Sequence, residues 1–80
     1  MDPNEIKAMI EAGIANCQAE VSGDGSHFDA IVVSPEFEGK NMMQEHRMVY
    51  ATLGDSITSG RLHALSIKAY TPDEFAAQKG

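Results

Sequence analysis

Arg61-Leu62-His63-Ala64-Leu65-Ser66-Ile67-Lys68-Ala69-Tyr70-Thr71-Pro72-Asp73-Glu74-Phe75 is the stretch on which the fold turns. Arg61 to Tyr70 reads as a strand. Leu62, Ala64 and Ser66 fall on one face, and His63, Leu65 and Ile67 fall on the other, the period of two that a strand requires. Thr71-Pro72-Asp73-Glu74 then opens a helix. Thr71 serves as N-cap, Pro72 suits the first helical position because its missing N–H has no partner there, and Glu74 closes a capping box. The helix is short and runs into Gln78-Lys79-Gly80.

Working back along the chain, Asn41 with Gln44 three residues on caps a second helix. Met43, His46, Tyr50, Leu53 and Ile57 step along it, with Met42 and Val49 beside them, and Ser59-Gly60 ends it. Pro35 to Lys40 breaks the pattern as a loop with room for one helical turn. His27 to Ser34 is a strand whose middle (Phe28, Ile31, Val32, Val33) is apolar on both sides, which predicts a central position. Ala19 to Ser22 is another strand. Gly23-Asp24-Gly25-Ser26 joins the two as a hairpin turn. Asp2-Pro3-Asn4-Glu5 reads as a helix start: Asp2 can cap, Pro3 suits the first helical position and Glu5 sits where a capping box needs it. Ile6, Met9, Ile10, Ile14 and Cys17 then form one apolar stripe on a helix ending near Asn16, which Gly13 weakens without ending. The order α-β-β-α-β-α predicts a three-stranded sheet with helices on one face. That is a two-layer α/β (α+β) sandwich forming a single domain over residues 1–80.

Size and charge narrow the function. A chain of 80 residues buries only a modest core, so a partner would add stability. No run of eighteen apolar residues is present, and none predicts a membrane span. The acidic N-terminus lacks the apolar segment of a signal peptide, which leaves the cytoplasm as the expected location. Cys17 is the only cysteine and cannot form an internal disulfide, in keeping with a reducing compartment. Twelve acidic residues against six Lys and Arg give a net charge of −6, which repels a polyanion on average.

Catalytic motifs are absent: no phosphate loop, no G-x-S-x-G elbow and no C-x-x-C. No Gly-x-x-Gly occurs, so the phosphate-clamping loop of RNA-binding KH domains is missing. No motif places a nucleophile or acid partner beside His63, which makes an enzyme the weakest reading. Histidines carry what chemistry there is, since imidazole ligates iron and zinc well. His27 opens the second strand and His63 opens the third. Two strand starts at one end of a sheet could share a metal; equally, each His could be a solvated strand-end residue. Cys17 reads either as a ligand or as a buried, inert thiol. A helix C-terminus does nothing to lower its pKa. Lys40, His46 and Arg47 form a small basic cluster, diluted by Glu45, that an ordinary solvated helix face would also produce. Met42, Met43 and Met48 read as core and rim; an exposed one would suit a partner groove.

Leu62-His63-Ala64-Leu65-Ser66-Ile67 followed by Thr71-Pro72-Asp73-Glu74-Phe75 resembles the signature of the BolA-like family: His-Ala, a strand, then Thr-Pro-x-Glu-Trp. Gly25-Ser26-His27-Phe28 and Val32-Val33-Ser34 are similar to the family's hairpin. Phe37-x-Gly39 and His46-Arg47-x-Val49-Tyr50 are similar to its loop and middle helix. The short Ser-Gly-Asp-Gly turn looks nearest the bacterial acid-stress type. Phe75 replaces the usual Trp, and Glu45 stands where many members have Arg. The resemblance implies a fold like the class II KH domain. It also implies a non-enzymatic adaptor that pairs with a monothiol glutaredoxin. In that pairing a 2Fe-2S cluster is shared among the glutaredoxin cysteine, a glutathione thiol and the BolA-like chain, with no cofactor on the chain alone. The role implied is iron–sulfur cluster maturation, trafficking or iron and stress sensing. His63 stands at the signature ligand position. The second ligand comes from the hairpin loop as His or Cys, which makes His27 the candidate and Cys17 the reserve. Replacing thiolates by imidazoles on one iron would raise the reduction potential, as in Rieske centres. The resemblance also implies an alternative, a DNA-binding transcriptional regulator of stress response and cell morphology, with Lys40, His46, Arg47 and Lys68 on the phosphates. Alone, the chain is expected to be a monomer or a weak homodimer.

Overall fold

Asp2 caps the first helix, α1 (Pro3–Gly13), through its carboxylate on the Asn4 N–H. The computed structural model describes residues 2–24, 27–54 and 64–79. Ile6 and Ile10 are the fully buried residues of α1. The helix ends at Gly13, three residues short of the predicted end. Gly13 is a poor helix former, Ile14 is already extended, and Asn16 takes a positive φ of 52°. Gly13 also lies against α2, where a Cβ would stand 2.5 Å from Thr52 Cγ2. Its small size therefore sets how closely the helices approach.

The strands are β1 (Gln18–Gly23), β2 (His27–Val33) and β3 (Ala64–Tyr70). They lie in the order β1-β2-β3, so β2 is central as predicted. β1 and β2 form the predicted antiparallel hairpin, with Gln18 opposite Val33 and Gly23 opposite Phe28. β2 and β3 are parallel, with His27 opposite Ala64 and Val33 opposite Tyr70. A parallel pair needs a crossover. The 3-10 turn Pro35–Phe37 and the helix α2 (Met42–Leu53) lie between the two strands in sequence. Arg61, Leu62 and His63, predicted to start the third strand, lie outside the described residues, as do Ile57 and the predicted helix end at Ser59-Gly60.

Alternation gives the sheet two unlike faces. Ala19, Phe28, Ala30 and Val32 are buried and join Ile6, Ile10, Ile14, Phe37, Val49 and Leu53 in one core, with Leu65, Ile67 and Ala69 packed against it. Glu20, Ser22, Asp29, Ser66 and Lys68 occupy the other face and are exposed. The centre of β2 is thus less two-sided than predicted, although Ile31 and Val33 remain half-buried there. Ser34 is the one buried polar residue among those described. Its hydroxyl donates to the Ala15 carbonyl (2.8 Å) and accepts from the Glu36 N–H (3.1 Å), so no polar atom is stranded.

Asn41 and Gln44 form the predicted capping box of α2. The buried face differs from the predicted stripe. Val49 and Leu53 are buried, Met48 packs on the core, and Met43 is 65% exposed and Tyr50 40%. Glu45, His46 and Met48 are half-buried beside Val49 and Leu53, and Met42 is exposed. Gly54 caps the end at φ 43°, a conformation that favours glycine. The last helix, α3 (Pro72–Lys79), starts at the predicted box: Thr71 N–H donates to Glu74 Oε1 (2.8 Å), and Glu74 N–H donates to Thr71 Oγ1 (3.2 Å). Among the described residues, three helices and a three-stranded sheet make a mixed α+β architecture.

Candidate functional site

Two places bring together the residues singled out above. The first is the sheet end where β2 and β3 begin. His27 is exposed there, its backbone N–H donates to the Asp24 carboxylate (3.0 Å), and its strand partner is Ala64. The Asp24 contact tethers the backbone of His27 and leaves the ring exposed at the sheet end. His63 lies outside the described residues; in sequence it immediately precedes Ala64. The parallel register therefore places His27 opposite the residue that follows His63.

Cys17 does not belong to that end. It precedes Gln18, which is opposite Val33 at the far end of β2. The seven residues of β2 span about 20 Å at ~3.3 Å per step. A metal held by His27 is out of reach of Cys17, which removes the reserve ligand from this end of the sheet. The cysteine lies beyond α1, in the connector, rather than on the helix, and packs half-buried against the core. Burial, with the Glu11 carboxylate adding to it, pushes its thiol above the usual value and opposes the thiolate a metal needs. Among the described residues no group of three His, Cys, Asp or Glu side chains could hold a metal by itself.

The second place is a groove of about 160 Å³ between the start of α2 and β3, lined by Met42, Glu45, His46, Ile67, Lys68, Ala69 and Tyr70. His46 and Lys68 of the basic set both border it. Arg47 stands exposed elsewhere on α2, and Lys40 stands exposed in the turn before it. Glu45 shares the groove. Burial first, and the Glu74 carboxylate of α3 second, push its carboxyl above the ordinary range, partly offset by His46. In the sequence Glu45 reads as a dilution of the basic cluster and as a departure from the Arg many family members carry. Its spacing from Met42, His46 and Val49 on one helix face was the signal that could have drawn it in.

The model of BolA-like proteins matches residues 5–74 of the chain. The acid stress protein IbaG of Escherichia coli K12 is 40% identical over 79 residues, covering 99% of this chain and 94% of that protein. A bolA protein homologue from Coxiella burnetii superposes with a TM-score of 0.86 at 43% identity, covering 95% of this chain and 97% of the other. The BolA domain of SufE1 from Arabidopsis thaliana superposes with a TM-score of 0.77 at 35% identity, covering 90% of this chain and 93% of that domain. The family match over residues 5–74 and the near-complete overlap with these relatives agree, and the chain belongs to the BolA-like family.

Proposed function

We propose that the chain is a non-enzymatic adaptor that pairs with a monothiol glutaredoxin and co-ligates a 2Fe-2S cluster through His63 and His27. The role is in iron–sulfur cluster maturation, trafficking or iron and stress sensing. The carrying observation is the register of β2 on β3. It puts His27, an exposed imidazole, opposite Ala64, the residue bonded to His63. His27 suits such a group because its ring is exposed at the sheet end while Asp24 holds its backbone. When bound, two imidazoles on one iron raise the cluster's reduction potential relative to thiolates. The chain's own part would be to supply imidazole nitrogens and leave the thiolates to the partner and glutathione.

The test mixes the chain with a cluster-loaded monothiol glutaredoxin and glutathione and follows visible absorption and CD. Wild type changes both spectra. His63→Ala abolishes the change and His27→Ala weakens it, with far-UV CD showing both variants folded. Wild-type spectra from a folded His63→Ala variant would sink the reading.

A further inference from the structure

The groove beside β3 has a chemistry that the cluster reading does not use. β3 is the outer strand of the sheet, and among the described residues no strand lies beyond it. Ile67 and Ala69 of β3 and Met42 of α2 supply apolar walls, and Met42 is 70% exposed. Glu45 shares that lining and is half-buried. Glu74 repels it, and the Lys7–Glu11 pair on α1 is the one salt bridge among the described residues, so no described cation pairs with Glu45. Asp73, in the first turn of α3, adds a further negative charge nearby in the chain. His46 and Lys68 are the other charge-bearing groups of the lining. Alternation along β3 places Lys68 on the opposite face of the sheet from Ile67 and Ala69, in the row of Ile31 and Glu20. At about 160 Å³ the space is too small for a cofactor, whose sites run to roughly 300 Å³ and more. It suits one long side chain.

We propose that this groove receives a lysine or arginine side chain from an extended segment of a partner protein laid along the free edge of β3. The aliphatic stem of such a side chain covers Met42, Ile67 and Ala69 while its cation reaches Glu45 and Glu74, the division long basic side chains favour. The open strand edge offers backbone hydrogen bonds to the segment. The chain's net charge of −6 steers a basic partner toward it.

The test is an amide-shift NMR titration of the full chain with a capped, extended Thr/Val peptide bearing a central lysine. The same peptide with norleucine at that position removes the charge and keeps the stem. Shifts are expected at Met42, Glu45 and Ile67 to Tyr70, with the lysine peptide bound roughly five-fold more tightly, the gap of a partly shielded ion pair. Glu45→Gln closes that gap, and Glu45→Lys transfers the preference to a central-glutamate peptide. Thermal melts check that each variant folds. Equal binding of the lysine and norleucine peptides overturns the proposal, and so does an absence of shifts along β3. Shifts that follow protein concentration alone would make a second copy the occupant, and duplex DNA displacing the peptide at low salt would make it nucleic acid; either outcome also overturns it. The cluster reading is read by His63→Ala spectra, so the two can fail separately.

Discussion

Glu11 shows how much one carboxylate can join. It accepts from Lys7 Nζ (2.7 Å) and from the Ala19 N–H (3.0 Å), and Lys7 also donates to the Ala19 carbonyl (2.9 Å). These contacts tie α1 to β1. The Lys7 hydrogen bond first, and the Ala19 N–H second, hold the Glu11 carboxyl below the ordinary range against a smaller effect of burial. A carboxyl depressed by folding contributes stability above its unfolded pKa, and that contribution is lost as pH falls through the folded value. Glu11→Gln keeps an acceptor and removes the charge. It should cost about 0.5–1 kcal/mol at pH 7, a surface-pair magnitude because the side chain is 32% exposed. The gap between the two proteins in urea melts should narrow as pH falls through the folded Glu11 value. Glu45 has the opposite sign: its folded pKa is raised, so its contribution is present in acid and lost as pH rises through that value. Neither role was legible in the sequence. Both depend on contacts that cross elements, Glu11 on Ala19 and Glu45 on Glu74.

Among the elements, α3 is the least secured. Its residues are mostly exposed, and its packing rests on Phe75, whose ring lies 5.8 Å from that of Tyr70 at 44°. The capping box of Thr71 and Glu74 supplies the rest. Thr71→Ala should remove about 1 kcal/mol of the helix's local stability. Hydrogen exchange should show faster amides in residues 75–79, while the β2 and β3 amides keep their wild-type rates. Equal slowing or acceleration across the sheet would show that α3 and the sheet open together. The cap was legible because its donors and acceptors lie within four residues. The buried face of α2 was not. Met43 and Tyr50 are apolar and correctly spaced for a stripe, yet the core takes Val49 and Leu53. Two overlapping apolar lines on one helix can be told apart only by what packs against them.

At the scale of the molecule, topology decides which chemistry can meet. The parallel pairing of β2 with β3 gathers the two strand starts, and the hairpin sends Cys17 to the other end of the sheet. Cys17→Ala should therefore leave the visible and CD spectra of the cluster-bound pair at wild-type intensity; a loss comparable to that of His27→Ala would mean the cluster sits elsewhere. Element order, the hairpin, the central place of β2, the capping boxes of α2 and α3 and the family signature were determined by the sequence itself. Each of these is a matter of near neighbours: alternation, caps and turn residues act over two to four positions. The end of α1 at Gly13, the buried face of α2, the separation of Cys17 from His27 and the half-buried place of Glu45 in the groove were decided only by the tertiary structure. Each depends on which distant residues the sheet and helices bring into contact, a property of three-dimensional packing that no local spacing encodes.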